Sequence, residues 1–171
     1  MSNPETRAAN MVRDPHPKAP GALVGIDEPM IRLLVHSFYA RVRADPLLGP
    51  VFNRAILDWD AHLDKLCAFW SSVTLMTGRY KGTPMNAHAE LPEITPAHFE
   101  RWLALFQTTA IKTCPPDAAQ VFVDRANRIA DSLQLGIALH RGASIVPPIA
   151  KPPPATADKE AQWTRRPRPG E

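Results

Sequence analysis

The chain has 171 residues, 44% of them hydrophobic and 22% charged, enough for one domain with its own apolar core. Its pI of about 9.1 and formal charge of +3 come from the tail: residues 141–171 hold six Lys or Arg against three acids, while residues 25–140 hold 11 against 12. No basic face that tracks phosphates is expected, and so no nucleic-acid partner.

The prolines divide the chain. Of 19, four lie in residues 1–24 and seven in residues 141–171, which predicts a flexible N-terminal arm (1–24), a folded domain (25–140) and a Pro-rich, basic, disordered tail (141–171). No stretch approaches the 18 or so apolar residues of a membrane span, and the start Met1-Ser-Asn-Pro lacks an apolar leader segment, so a cytoplasmic protein without membrane contact is expected.

Within the domain, Asp27 is placed to cap a helix on which Ile31, Leu34, Val35, Phe38, Tyr39 and Val42 recur at three- and four-residue steps. Asp45-Pro46 stops it, and Phe52 follows as an apolar anchor in a short connector. A second helix opens near Asp58 with the stripe Trp59, His62, Leu63, Leu66, Phe69, Trp70, Val73, and loosens at Gly78 and Gly82. Thr83-Pro84 then starts a very short helical turn bearing Met85 and His88, cut off by Leu91-Pro92. So brief a segment has little stability of its own. Thr95-Pro96 opens a further helix with Phe99, Trp102, Leu103 and Phe106 on one stripe, ended by Cys114-Pro115-Pro116, and a last helix spans roughly residues 117–140. No alternating strand pattern or repeat appears, so the fold class is all-α.

His62 and His88, 26 positions apart, bracket the aromatic pair Phe69-Trp70. A histidine on an apolar stripe is ordinarily a hydrogen-bonded core residue, and spacing alone leaves both readings open. Zinc needs three or four clustered ligands, whereas His36, His98 and His140 lie on separate helices, and Cys67 and Cys114 form no Cys-x-x-Cys pair. Haem iron needs only one protein ligand and a flat apolar slot.

The runs Phe38-Tyr-Ala-Arg-Val-Arg-Ala-Asp-Pro-Leu-Leu-Gly-Pro-Val-Phe52, Phe69-Trp-Ser-Ser-Val73, Gly78-Arg-Tyr-Lys-Gly82, His88-Ala-Glu-Leu-Pro92 and His98-Phe-Glu-Arg-Trp-Leu103 together resemble a bacterial truncated haemoglobin of group III, over about residues 26–140. The resemblance implies a truncated globin fold, a two-over-two helical sandwich around non-covalent haem b. It implies His88 as the proximal iron ligand, with Tyr39, His62 and Trp102 as the polar groups facing a bound gas.

A phenol hydroxyl and an indole N–H aimed into a dry pocket stabilise a polar diatomic ligand more than they would in water. Dioxygen, nitric oxide and carbon monoxide are the implied ligands. Arg79, Tyr80 and Lys81, in the Gly-flanked turn, are candidates for the haem propionates. Phe38, Phe52, Leu66, Phe69, Trp70, Leu91, Ile94 and Phe99 form the candidate haem wall. Two alternatives share the sequence: a haem redox enzyme, consuming nitric oxide or peroxide with a reductase partner, and a haem-free helical interaction domain. The ring nitrogen of His88 not on iron is expected to donate to a backbone carbonyl or a carboxylate.

Overall fold

In the computed structural model, residues 13–142 are described, apart from Glu90 and Pro92. The helices are α1 (Pro20–Leu23), α2 (Glu28–Ala44), α3 (Gly49–Ala55), α4 (Trp59–Leu75), α5 (Pro84–Ala89), α6 (Pro96–Thr113) and α7 (Pro116–His140), and no strand occurs among the described residues. The expected arm up to residue 12 and the tail from residue 143 lie outside the described residues.

The caps explain where the long helices begin. The Asp27 carboxylate accepts from the Met30 amide and that of Asp58 from the Ala61 amide, each satisfying a donor that the first helical turn leaves unpaired. α4 ends where Met76 adopts a left-handed conformation, φ 58°, two residues before the glycine that the sequence suggested as the stop.

Two pairs of helices build the sandwich. α2 packs on α4 and α6 on α7, with α2 meeting α6 and α4 meeting α7 across the layers. Phe38, Trp70, Phe106 and Phe122, each at most 1% exposed, fill the space between. Phe106 stacks on Trp70 at 4.9 Å and on Trp102 at 5.3 Å, and meets Phe38 edge-on at 5.0 Å. Such ring pairs add directional preference to area burial, so they fix the relative rotation of the helices.

Two elements depart from the sequence expectation. Residues 13–24 are not all outside the packed body: α1 lies against α4 and α7, Ala19 is fully buried, and the His16 amide donates to the Leu75 carbonyl at 3.0 Å. A side chain at Gly21 would begin 2.7 Å from the Thr74 carbonyl oxygen, so this contact requires glycine. Phe52 sits not in a connector but in α3, a helix of seven residues that opens Gly49-Pro50. Its proline suits the first turn, where no amide is needed.

Asp45 joins α2, α3 and α6. Its carboxylate accepts from the Leu47 and Leu48 amides at 3.0 Å each and from Arg101 Nε at 2.7 Å. Burial alone would raise its pKa, but the Leu48 amide, Arg101 and the Leu47 amide outweigh that and hold it below the usual carboxylate value. The folded value lies below the unfolded one, so this stabilisation is present above about pH 4 and lost as pH falls through the lowered value. Asp45→Ala is expected to cost about 2–3 kcal/mol at pH 7, with the difference from wild type narrowing toward pH 2 in urea denaturation. An undiminished difference in acid would show that the charge is not the source.

Candidate functional site

Between the layers lies a cavity of about 690 Å³, within the roughly 300–1,000 Å³ usual for cofactor and small-molecule sites. Nearly all the sequence-predicted residues line it: Tyr39 from α2, Phe52 from α3, and His62, Leu66, Phe69 and Trp70 from α4. Tyr80 joins from the loop, His88 from α5, Leu91 and Ile94 from the α5–α6 connector, and Phe99 and Trp102 from α6. These elements converge on one largely apolar space.

Phe38, Arg79 and Lys81 are not among the lining residues. Phe38, one step along α2 from Tyr39, is turned about 100° away from it and packs on Trp102 and Phe106 as core behind the wall. Arg79 pairs with Glu28 at 3.6 Å. That carboxylate also accepts from the Ser71 hydroxyl at 2.6 Å, so Arg79 braces the loop onto α2 and α4 instead of lining the cavity.

At His88, Nδ1 lies 2.7 Å from the Pro84 carbonyl oxygen, one turn back on α5. A carbonyl only accepts, so Nδ1 carries the proton and donates. Nε2 is left with its lone pair free on a ring that lines the cavity. Locking one ring nitrogen on a backbone carbonyl fixes the tautomer and orientation of a metal-binding imidazole.

On α2, burial pushes the Tyr39 phenol above its ordinary pKa, and a hydrogen bond from Trp102 opposes this only in part. Indole nitrogen only donates, so any influence of Trp102 falls on the phenol oxygen and leaves the Tyr39 O–H to donate. Tyr39 is 4% exposed, so that O–H acts in a medium of low dielectric.

His62 meets Tyr39 and Trp59 edge-on at 6.4 and 5.9 Å, and Trp59 in turn lies under the Arg43 guanidinium at 4.7 Å. The imidazole is therefore propped by rings on two sides. Burial first, then the charges of Lys65 and His88, lower its pKa.

Lys65, Asp58 and His98 line the cavity as well, together with Ile129, Ala130 and Leu133 of α7. Lys65 stands three residues after His62, so helical spacing alone puts it on the same face. His98 was hidden by an unusual cap: its Nδ1 accepts from the Thr95 amide at 3.2 Å and lies 2.9 Å from the Thr95 hydroxyl. A histidine fills the place that Glu or Gln holds in the familiar capping box. Among the described residues, no group of three His, Cys, Asp or Glu converges as a complete metal cage.

With its folded pKa lowered, His62 is expected to stay neutral at pH 7, and its contribution to stability falls as pH drops below about 6.5. Ring-proton NMR titration of the apoprotein checks this. A midpoint above 6.5 would mean that a nearby anion outweighs burial.

Comparison with known proteins agrees with the fold. The model of the bacterial-like globin family matches residues 22–134. A group 3 truncated hemoglobin of Campylobacter jejuni is 35% identical over 113 residues, 64% of this chain and 89% of the relative. The crystal structure of a group III truncated hemoglobin from Campylobacter jejuni aligns with a TM-score of 0.62 at 34% identity, covering 66% of this chain and 91% of that one. The chain belongs to the bacterial-like globin family and has the truncated haemoglobin fold.

Proposed function

We propose that the cavity holds haem b through His88 and presents Tyr39, Trp102 and His62 to dioxygen or another diatomic gas. The observation that carries this reading is the His88 Nδ1–Pro84 hydrogen bond. It leaves a histidine on a six-residue helix with its Nε2 lone pair free on the wall of an apolar slot. Membership of a globin family implies the same cofactor.

The donor set fits the group. Bound there, haem supplies an iron that takes one imidazole and leaves a coordination position for a small ligand. The flat walls come from Phe52, Leu66, Phe69, Trp70, Ile94 and Phe99. Two propionates need cations or N–H and O–H donors. With Arg79 engaged by Glu28, the candidates lining the cavity are Lys65, Tyr80 and His98. Asp58, also on the wall, spends a carboxylate oxygen on the Ala61 amide. His98 accepts through Nδ1, so its Nε2 bears a proton to donate.

Tyr39 and Trp102 line the cavity together, and Tyr39 keeps its O–H for the ligand. The raised pKa keeps the phenol protonated across the physiological range. His62 is neutral and able to donate or accept according to tautomer. Burial of the phenol excludes the water that would otherwise compete for it.

His88→Gly should fail to give a Soret band with added haem, or give a weak one, and regain it with millimolar imidazole. A full-strength band without imidazole would overturn the assignment of His88. Tyr39→Phe should raise the dioxygen dissociation rate by roughly 5- to 150-fold, the loss of a donor worth about 1–3 kcal/mol. An unchanged rate in stopped-flow measurements would move the leading role to Trp102 or His62.

A further inference from the structure

We propose that the last two turns of α7 position His88, through a glycine seat at Gly136 and a guanidinium clamp at Arg141. The proposal rests on the reading of His88 as iron ligand. The family match ends at residue 134, short of both residues.

The problem these residues solve is the weakness of α5. A helix of six residues has too few internal hydrogen bonds to hold itself. Its Pro84–His88 hydrogen bond orients the ring only if the turn itself is fixed in space. α5 packs on α7, with the Met85 side chain against Gly136. A Cβ built there would fall well inside contact with Met85 Sδ and Cε. The thioether therefore lies against the α7 backbone, and a side chain at 136 would have to displace it. Met85 stands three residues before His88, on the same face of the turn.

The clamp acts on the other side of His88. Arg141 caps the end of α7, its amide donating to the Ile137 carbonyl at 3.0 Å. Its guanidinium reaches the α5–α6 connector, donating to the Leu91 carbonyl at 3.0 Å and the Ile94 carbonyl at 3.1 Å. The Leu91 amide in turn donates to the His88 carbonyl at 3.2 Å. Ile94 and Ile137, 6% and 5% exposed, share one small apolar cluster beneath the clamp. A planar fork with several fixed donors holds two carbonyls at once, which an ammonium cannot do in the same geometry. Charge-assisted bonds of this kind are about twice as strong as neutral ones. Held at Met85 and again at Leu91, His88 has little freedom to tilt.

The test uses the full-length haem protein and two readouts: haem loss to excess apomyoglobin, and the iron–histidine stretching band of the ferrous form by resonance Raman. Arg141→Ala should speed haem loss on the order of 10-fold and shift or broaden the band, with far-UV circular dichroism unchanged. Arg141→Lys, able to reach one carbonyl, should recover part of both. Gly136→Ala and Met85→Ala should act alike, and the double variant should be no worse than Met85→Ala, as expected for two parts of one contact. Wild-type band position and width in both Arg141→Ala and Gly136→Ala would overturn the proposal, even if melting temperature fell, because α7 would then support stability without orienting His88. A wild-type protein that binds haem but shows no histidine–iron band would instead defeat the assignment of His88 itself.

Discussion

A hydrogen bond of 2.7 Å inside a helix of one and a half turns decides what the cavity can hold. Without it the His88 ring is free to rotate, and either nitrogen can carry the proton. With it, one lone pair faces an apolar space of about 690 Å³. The proposed haem would use that lone pair and cover the aromatic walls. The pocket and its ligand are thus one arrangement: the walls exclude water, and that exclusion makes the single donor effective.

The other side of the cavity follows a different logic. Tyr39, Trp102 and His62 are anchored in the long helices α2, α6 and α4, whose shared face is a lattice of rings spaced 4.8 to 6.4 Å apart. Close-packed aromatic cores resist small displacements, because each ring is held by several others. The polar tips therefore project from a rigid base. Desolvation raises the Tyr39 pKa because the charged phenolate loses water, and the indole bond to the same oxygen recovers only part of that loss. The phenol stays a donor.

The helices were readable because each carries a stripe at the 3.6-residue period, and their starts were readable because Asp27 and Asp58 are carboxylates in the cap position. The residues that face the cavity followed from the family resemblance more than from periodicity, which does not separate a wall from a core. Phe38 shows the difficulty. It and Tyr39 are neighbours on one helix, and only the packing of Phe106 reveals which of them is turned inward to the core. Arg79 shows another limit, since its partner Glu28 lies 51 positions away in sequence and no local rule joins them. α1 and α3 were missed because helices of four and seven residues are too short for an apolar stripe to recur more than once. His98 was seen as a histidine and set aside as a metal ligand, while its use as a cap left no familiar pattern.

The two sides also differ in how firmly they are built, and this separates what substitutions on each side affect. The distal groups belong to the aromatic core, so changing one alters the polarity met by a ligand while the scaffold persists. The proximal group hangs on α5, whose order depends on α7 and on a connector also tied to α3 by the Arg54–Glu93 ion pair. That exposed pair contributes little by itself, since solvent screens it. The contact of Met85 on Gly136 and the buried cluster that holds Ile94 and Ile137 act at shorter range. Loss of order there would leave most of the apolar core in place, because it lies among α2, α4, α6 and α7. On the proposed function, gas affinity and cofactor retention would be tuned by separate sets of residues that meet only in the cavity.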